Sequence, residues 1–390
     1  MFKVQKLNQI SVKGLEKFPQ DQYELAGEIG SPDAIILRSH KLSANDVHSN
    51  VKAIARAGAG TNNIPISEMT ARGVVVFNTP GANANAVKEL VLAGLLLGSR
   101  GIAQGISYVN GLKINDEVEL NKTIEADKKQ FIGHELQGKT LGVIGLGAIG
   151  SMVAEMGLFL GMNVIGFDPA ISIEAAWRLP REVKKMDNVT SLVAQADFVS
   201  LHVPALEATK GLINASVLKS FKPGCSLVNF ARGEIVEVAA IVDALNNGNL
   251  AKYIADFPTP ELIGRSDVIL MPHIGASTDE AEDNCAVMAA QQLIDFLENG
   301  NIKNSVNFPS LSLERSRGCY RITFTNSNVP KILGSVLSVL ADANLNVVDM
   351  LNRSRDDVAY NIIDVETAPS DGVIHAIADI EGVIGVRVIQ

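Results

Sequence analysis

Three residues of different chemistry follow short apolar runs in the middle of the chain. Arg232 comes after Ser226-Leu227-Val228-Asn229-Phe230. Glu261 ends the loop Asp256-Phe257-Pro258-Thr259-Pro260-Glu261, and His273 comes after Val268-Ile269-Leu270-Met271-Pro272. Runs of this kind read as buried parallel strands, and ligands of open α/β sheets sit outside the carboxyl-terminal strand ends. Three strand ends of one sheet therefore bring a guanidinium, a carboxylate and an imidazole to one rim. An imidazole exchanges a proton near neutrality. A carboxylate behind it favours the imidazolium and fixes the tautomer. An arginine offers a planar fork to a substrate carboxylate and polarises the carbonyl formed at the next carbon. Together the three describe hydride transfer from a 2-hydroxy acid to a coenzyme. Taken singly each has a plainer reading: His273 as a helix-entry residue, Arg232 in a surface ion pair, Glu261 as a solvated carboxylate.

A coenzyme for that chemistry has a place to bind. Leu141-Gly142-Val143-Ile144 reads as a buried strand, followed by Gly145, Gly147 and Gly150, with Ala148 and Ile149 between them. A helical period over 151–160, closed by Gly161, leads to a second strand at 164–167 that delivers Asp168. The first glycine makes the tight turn, the second lets the backbone approach a pyrophosphate, and the third lets helix and strand pack closely. The open N–H groups and positive end of the helix meet the phosphates. Asp168 accepts from ribose hydroxyls and repels a 2′-phosphate, which favours NAD over NADP. The plain alternative is an ordinary strand–helix turn with a capping aspartate.

The rest of the chain supplies more strand ends. Ala34-Ile35-Ile36-Leu37 leads to Arg38 and Ser39. Lys52-Ala53-Ile54-Ala55 leads to Arg56, Ala57 and Gly58, the start of a glycine-bearing loop through Asn63. Val74-Val75-Val76-Phe77 leads to Asn78. Glycines there bring backbone N–H groups to an anion and Arg56 adds a fork of donors, with a surface turn as the plain alternative. A long apolar helix follows over about 83–100. The more polar stretch 103–138 reads as a dimer-forming excursion or a solvated helix. After the glycine-rich unit, strands at 198–201, 226–230, 253–256 and 268–271 alternate with helices, and a long helix runs over about 277–298. The tail, 320–389, has the order βαββαβ of a small α+β domain.

Composition narrows the classes. With 390 residues, 47% of them hydrophobic, two or three domains are expected. A formal net charge of −9 with no basic run argues against nucleic acid and anionic membranes as partners. No run is long enough for a membrane span, the N-terminus lacks a signal-peptide core, and no cluster has metal spacing. Cys225, Cys285 and Cys319 are scattered and odd in number, as expected of reduced thiols in a cytoplasmic protein.

Gly-Leu-Gly-Ala-Ile-Gly with Asp168, Asn229-Phe230-Ala231-Arg232-Gly233 and Pro272-His273-Ile274-Gly275-Ala276-Ser277-Thr278 resemble the D-isomer-specific 2-hydroxyacid dehydrogenase family. The resemblance implies two doubly wound, Rossmann-like parallel-sheet domains. A discontinuous substrate domain would take 1–98 and 279–305, and an NAD domain 99–278. It implies Arg232, Glu261 and His273 as the catalytic set, in that order. It adds His202, Pro204, Thr209, Ala231, Asp256, Gly275 and Ala276 to the NAD contacts. Arg38, Ser39, Arg56, Ala57, Gly58 and Asn78 resemble the branch that acts on a phosphorylated 2-hydroxy acid, 3-phosphoglycerate, as a homodimer or homotetramer. Other D-2-hydroxy acids, such as 2-hydroxyglutarate or glycerate, and a nucleotide-sensing regulator without turnover are the alternatives. The tail, 316–390, resembles a ferredoxin-like ACT domain, which implies an amino-acid effector such as L-serine held by Asn328 and Asn346. The loop Asn326-Ser327-Asn328-Val329-Pro330-Lys331 lacks that domain's usual His and Gly. A domain used only for assembly therefore stays open.

Overall fold

The shortest apolar runs become the most buried strands. A computed structural model describes residues 1–389. In it β1 (Phe2–Leu7), β2 (Tyr23–Ala26), β3 (Ala34–Leu37), β4 (Ala53–Arg56) and β5 (Val75–Phe77) form a parallel sheet in the order β2-β1-β3-β4-β5. Every residue of β3 is buried, as expected of a strand covered on both faces. β1 and β2 alternate less cleanly and carry charged residues, so periodicity gives them no signal.

A second parallel sheet orders seven strands as β12-β11-β10-β9-β6-β7-β8. They are β6 (Thr140–Ile144), β7 (Asn163–Phe167), β8 (Lys184–Lys185), β9 (Phe198–Leu201), β10 (Ser226–Asn229), β11 (Lys252–Ala255) and β12 (Val268–Leu270). The strand order reverses at β6, next to β9, which is the point where such sheets bind ligands. The chain divides into two compact units, 1–83 with 279–390, and 84–278. The helix Ala84–Ser99 belongs to the second, where Val87, Val91 and Leu95 share a core with Leu141, Val153 and Phe230. The domain boundary read from the sequence at 98/99 lies one helix later than this division. The polar stretch forms two helices, Ile102–Gly111 and Glu117–Asp127, neither with a buried residue. No single helix among the described residues is long and apolar enough to cross a membrane.

The tail folds as the βαββαβ order requires. β13 (Tyr320–Ser327), β14 (Val347–Arg355), β15 (Val358–Val365) and β16 (Val383–Ile389) make an antiparallel sheet in the order β14-β15-β13-β16. Its helices, Ile332–Asp342 and Asp371–Ala378, cover one face through Val336, Leu340, Val373 and Ile377. The other face is buried along β15. Val358, Tyr360 and Ile362 join Phe77, Phe296 and Phe308 in the core of the first unit. Of the range 316–390 read as a separate domain, residue 390 lies outside the described residues.

That junction is fastened by a buried ion pair. Arg321 is fully buried on β13, and its Nε and Nη2 reach the Asp364 carboxylate of β15 at 2.7 and 2.8 Å. Its other donors meet the carbonyls of Asn299, Leu313 and Glu314 at 2.8, 2.9 and 3.0 Å. All five guanidinium N–H groups are thereby used. The Tyr360 hydroxyl donates to the Gly300 carbonyl at 2.7 Å, and the Arg387 guanidinium lies 4.1 Å over the Phe296 ring. Replacing Arg321→Met leaves Asp364 charged and uncompensated in the interior. We expect a loss of about 3–5 kcal/mol of stability, measured as a lowered urea midpoint.

Candidate active site

The turn after β6 is set by lack of room. Gly145 has φ 92°, and a Cβ there would lie 2.7 Å from the carbonyl of His202. A Cβ on Gly150 would come within 1.8 Å of the Gly145 oxygen. Only glycine fits at both points. Gly147 is different: nothing lies within 4 Å of its Cβ position, and it caps the helix Ala148–Phe159 without a side-chain bond to the first N–H groups. The protein's own packing requires the outer two glycines. The middle one leaves a bare helix N-terminus open to a ligand, which suits a pyrophosphate. The helix begins three residues earlier than its periodicity indicates, so Gly150 lies in its first turn. It ends before Gly161, which has φ 72° as a C-terminal cap requires.

Asp168 has a second use beyond the ribose hydroxyls expected from sequence. Its carboxylate accepts from Leu146 N at 2.8 Å and from Ala170 N at 2.9 Å, so it ties the glycine turn to the end of β7. Beyond β9, His202 places Nε2 2.8 Å from the Ser200 hydroxyl, while its buried Nδ1 has no partner among the described residues. Burial pushes this imidazole down to about 3, so it is neutral under working conditions. Thr209 donates to the Pro204 carbonyl at 2.5 Å and accepts from Leu206 N at 2.9 Å, which closes the loop after it.

Arg232 and His273 leave the ends of β10 and β12, and Glu261 lies in the loop after β11, all in one sheet. Two buried groups that sequence reasoning assigned otherwise, or missed, set their backbones. Asn229, fully buried at the end of β10, donates to the Arg232 carbonyl at 2.8 Å and accepts from Ala231 N at 3.2 Å. Asp256, 1% exposed, accepts from Ile274 N at 2.8 Å and Gly275 N at 2.7 Å. The carboxylate expected at the coenzyme thus clamps the segment that carries His273. A Cβ on Gly275 would lie 3.1 Å from that carboxylate. His273 itself is exposed and has φ 59°, a left-handed conformation uncommon outside glycine. Its ring stands edge-on to Phe257, centroids 5.1 Å apart. The expected Glu261–His273 contact is not formed. Glu261 is fully exposed, and its own backbone N–H and the Thr259 hydroxyl hold its carboxyl below the usual range.

In the first unit the substrate residues cluster at the ends of β3 and β4. Arg56 donates through Nε to the Arg38 carbonyl at 3.0 Å and through Nη1 to the Gly60 carbonyl at 2.5 Å. Asn63 donates to the carbonyls of Arg38 and His40. Ala57 N donates to the Leu37 carbonyl, Thr79 N to that of Gly58, and the Asn78 amide to that of Ala59. Ser39 is exposed beside them. The Arg38 guanidinium pairs with Glu282, 2.6 Å away, a partner that nothing in the local pattern around Arg38 indicated. Asn328 and Asn346 do not converge. They lie beyond opposite ends of β15: Asn328 N donates to the Asp357 carbonyl, and Glu366 N to that of Asn346. One chain therefore cannot bring both to one amino acid. No group of three or more His, Cys, Asp or Glu among the described residues could hold a metal ion.

Comparison with known proteins identifies the family. Residues 104–275 match the D-isomer specific 2-hydroxyacid dehydrogenase, NAD binding domain. A D-3-phosphoglycerate dehydrogenase of Haemophilus influenzae is 34% identical over 385 residues, covering 95% of this chain and 89% of that protein. One of Archaeoglobus fulgidus is 36% identical over 311 residues, covering 76% of this chain, which spans only 56% of that longer relative. The NAD-bound 3-phosphoglycerate dehydrogenase of Entamoeba histolytica superposes with a TM-score of 0.60 at 27% identity, covering 80% of this chain and 99% of that one. The chain belongs to the D-isomer specific 2-hydroxyacid dehydrogenase family.

Proposed function

We propose that this chain uses NAD to oxidise the C2 hydroxyl of D-3-phosphoglycerate, giving the 2-keto acid 3-phosphohydroxypyruvate, the entry step of L-serine synthesis. One observation carries the reading: besides Arg232 in the second unit, two further arginines, Arg38 and Arg56, stand at adjacent strand ends of the first. A phosphorylated substrate gives Arg38 and Arg56 a partner, whereas a lactate-like acid leaves them idle. The names of the relatives support the same substrate.

The backbone N–H groups around Gly145, Gly147, Ala148, Ile149 and Gly150 take the pyrophosphate, and Asp168 takes the ribose hydroxyls. His202, Pro204, Thr209, Ala231, Gly275 and Ala276 line the rest of the coenzyme's path, with Asp256 acting through the His273 segment. NAD, when bound, supplies the hydride acceptor for C2. His273 removes the hydroxyl proton on a ring nitrogen. Arg232 pairs with the substrate carboxylate and draws charge from the neighbouring C2 oxygen. Glu261 serves the imidazole once its exposed carboxylate swings to the ring. In the first unit Arg38, Ser39, Arg56, Ala57, Gly58 and Asn78 take the phosphate. We place the enzyme in the cytoplasm as a homodimer or homotetramer. An L-serine site using Asn328 of one chain and Asn346 of another is consistent with their separation.

Three measurements check this reading. In a substrate panel followed by NADH absorbance, kcat/KM for D-3-phosphoglycerate should exceed that for D-glycerate and 2-hydroxyglutarate. A non-phosphorylated acid turned over as well or better refutes the substrate. His273→Ala should lower kcat by about 100-fold or more while NADH affinity stays within about twofold. Equal loss of both would place the imidazole elsewhere. Gly150→Ala forces a methyl group onto the Gly145 carbonyl and should weaken NADH binding by about 100-fold in a fluorescence titration.

A further inference from the structure

Arg38, at the end of β3, is not an isolated cation. Its Nη2 lies 2.6 Å from Oε1 of Glu282, in the first turn of the helix Asp279–Asn299, and the two side chains are 41% and 42% exposed. Arg56, on the neighbouring strand, is anchored on main-chain carbonyls. Cys285, on the same helix, is buried beside the Thr79 hydroxyl, and its thiol is within the fields of Arg38, Arg56 and Glu282. Arg38 and Arg56 thus stand at adjacent strand ends of the first unit, with Glu282 paired to the first of them.

We infer that Glu282 is a specificity-determining residue: it positions Arg38 and offsets its charge, so the site's pull on a phosphorylated end is tempered relative to an uncharged one. The inference rests on the substrate reading above. A phosphate arriving at Arg38 must compete with a carboxylate already bonded there, and it meets that carboxylate as a like charge. A hydroxymethyl end meets no such repulsion. Glu282 thus weakens binding of the phosphorylated acid without touching the reacting carbon.

The test separates charge from shape. Glu282→Gln keeps an acceptor for Arg38 and removes the charge. It should lower KM for D-3-phosphoglycerate by about fivefold with kcat within about twofold, the scale of one half-exposed ion pair. The ratio of KM for D-glycerate to KM for D-3-phosphoglycerate then rises about fivefold, and inorganic phosphate becomes a stronger competitor. Glu282→Asp, which keeps the charge, should hold that ratio at the wild-type value. An unchanged or lowered ratio in Glu282→Gln, in an enzyme that prefers the phosphorylated acid, overturns this inference alone. A wild-type preference for D-glycerate overturns the substrate reading and this inference with it.

Discussion

The second unit depends on one steric contact: the helix that follows β6 starts so close to the strand that a hydrogen is all that fits between Gly150 and the Gly145 carbonyl. That approach presses the helix N-terminus against the strand end, at the position where the sheet order reverses. The other groups at this rim take their places from it. His202 packs its main chain against Gly145, and Asp168 ties the residue between the glycines to the next strand. The helix Ala84–Ser99 closes the back of the same sheet, with Gly94 admitting the Phe230 ring at the foot of the arginine strand. Coenzyme turn and arginine loop thus share one set of supports.

Buried polar groups hold the reactive segments by their backbones. Asp256 is removed from water, and the 274 and 275 amides satisfy its two oxygens. Asn229 does the same for Arg232. Such groups are costly to bury unless fully bonded. Their bonds give a left-handed residue, His273, a fixed path in an exposed loop. Glu261 is fully exposed and has no comparable anchor.

What could be read from the sequence follows from how local each signal is. The central strands and the glycine turn were legible because continuous apolar runs and fixed spacing belong to short segments. β1 and β2 were not: their buried positions depend on partners far along the chain. The start of the helix at Ala148 was misplaced because glycine hides a first turn that only the strand contact stabilises. Arg232, Glu261 and His273 were recognisable as types at strand ends. Of their supports, Asn229 bonds within its own turn, whereas Asp256 pairs with amides far along the chain that no spacing reveals. The Arg38–Glu282 pair joins residues more than two hundred positions apart, and the Arg321–Asp364 pair spans two strands. Patterning at the tail indicated its element order but not that β15 turns one side into the first unit's core.

That last feature bears on how the molecule comes to be folded. The second unit is one continuous stretch, whereas the first draws its core from both ends of the sequence, including Tyr360 and Ile362 on β15. During synthesis the β1–β5 segment leaves the ribosome long before the strands that complete its interior. Its apolar face must wait while an entire neighbouring unit is made. Contacts of such sequence separation form slowly. The nascent N-terminal sheet is therefore the part of this protein whose apolar face stays uncovered longest.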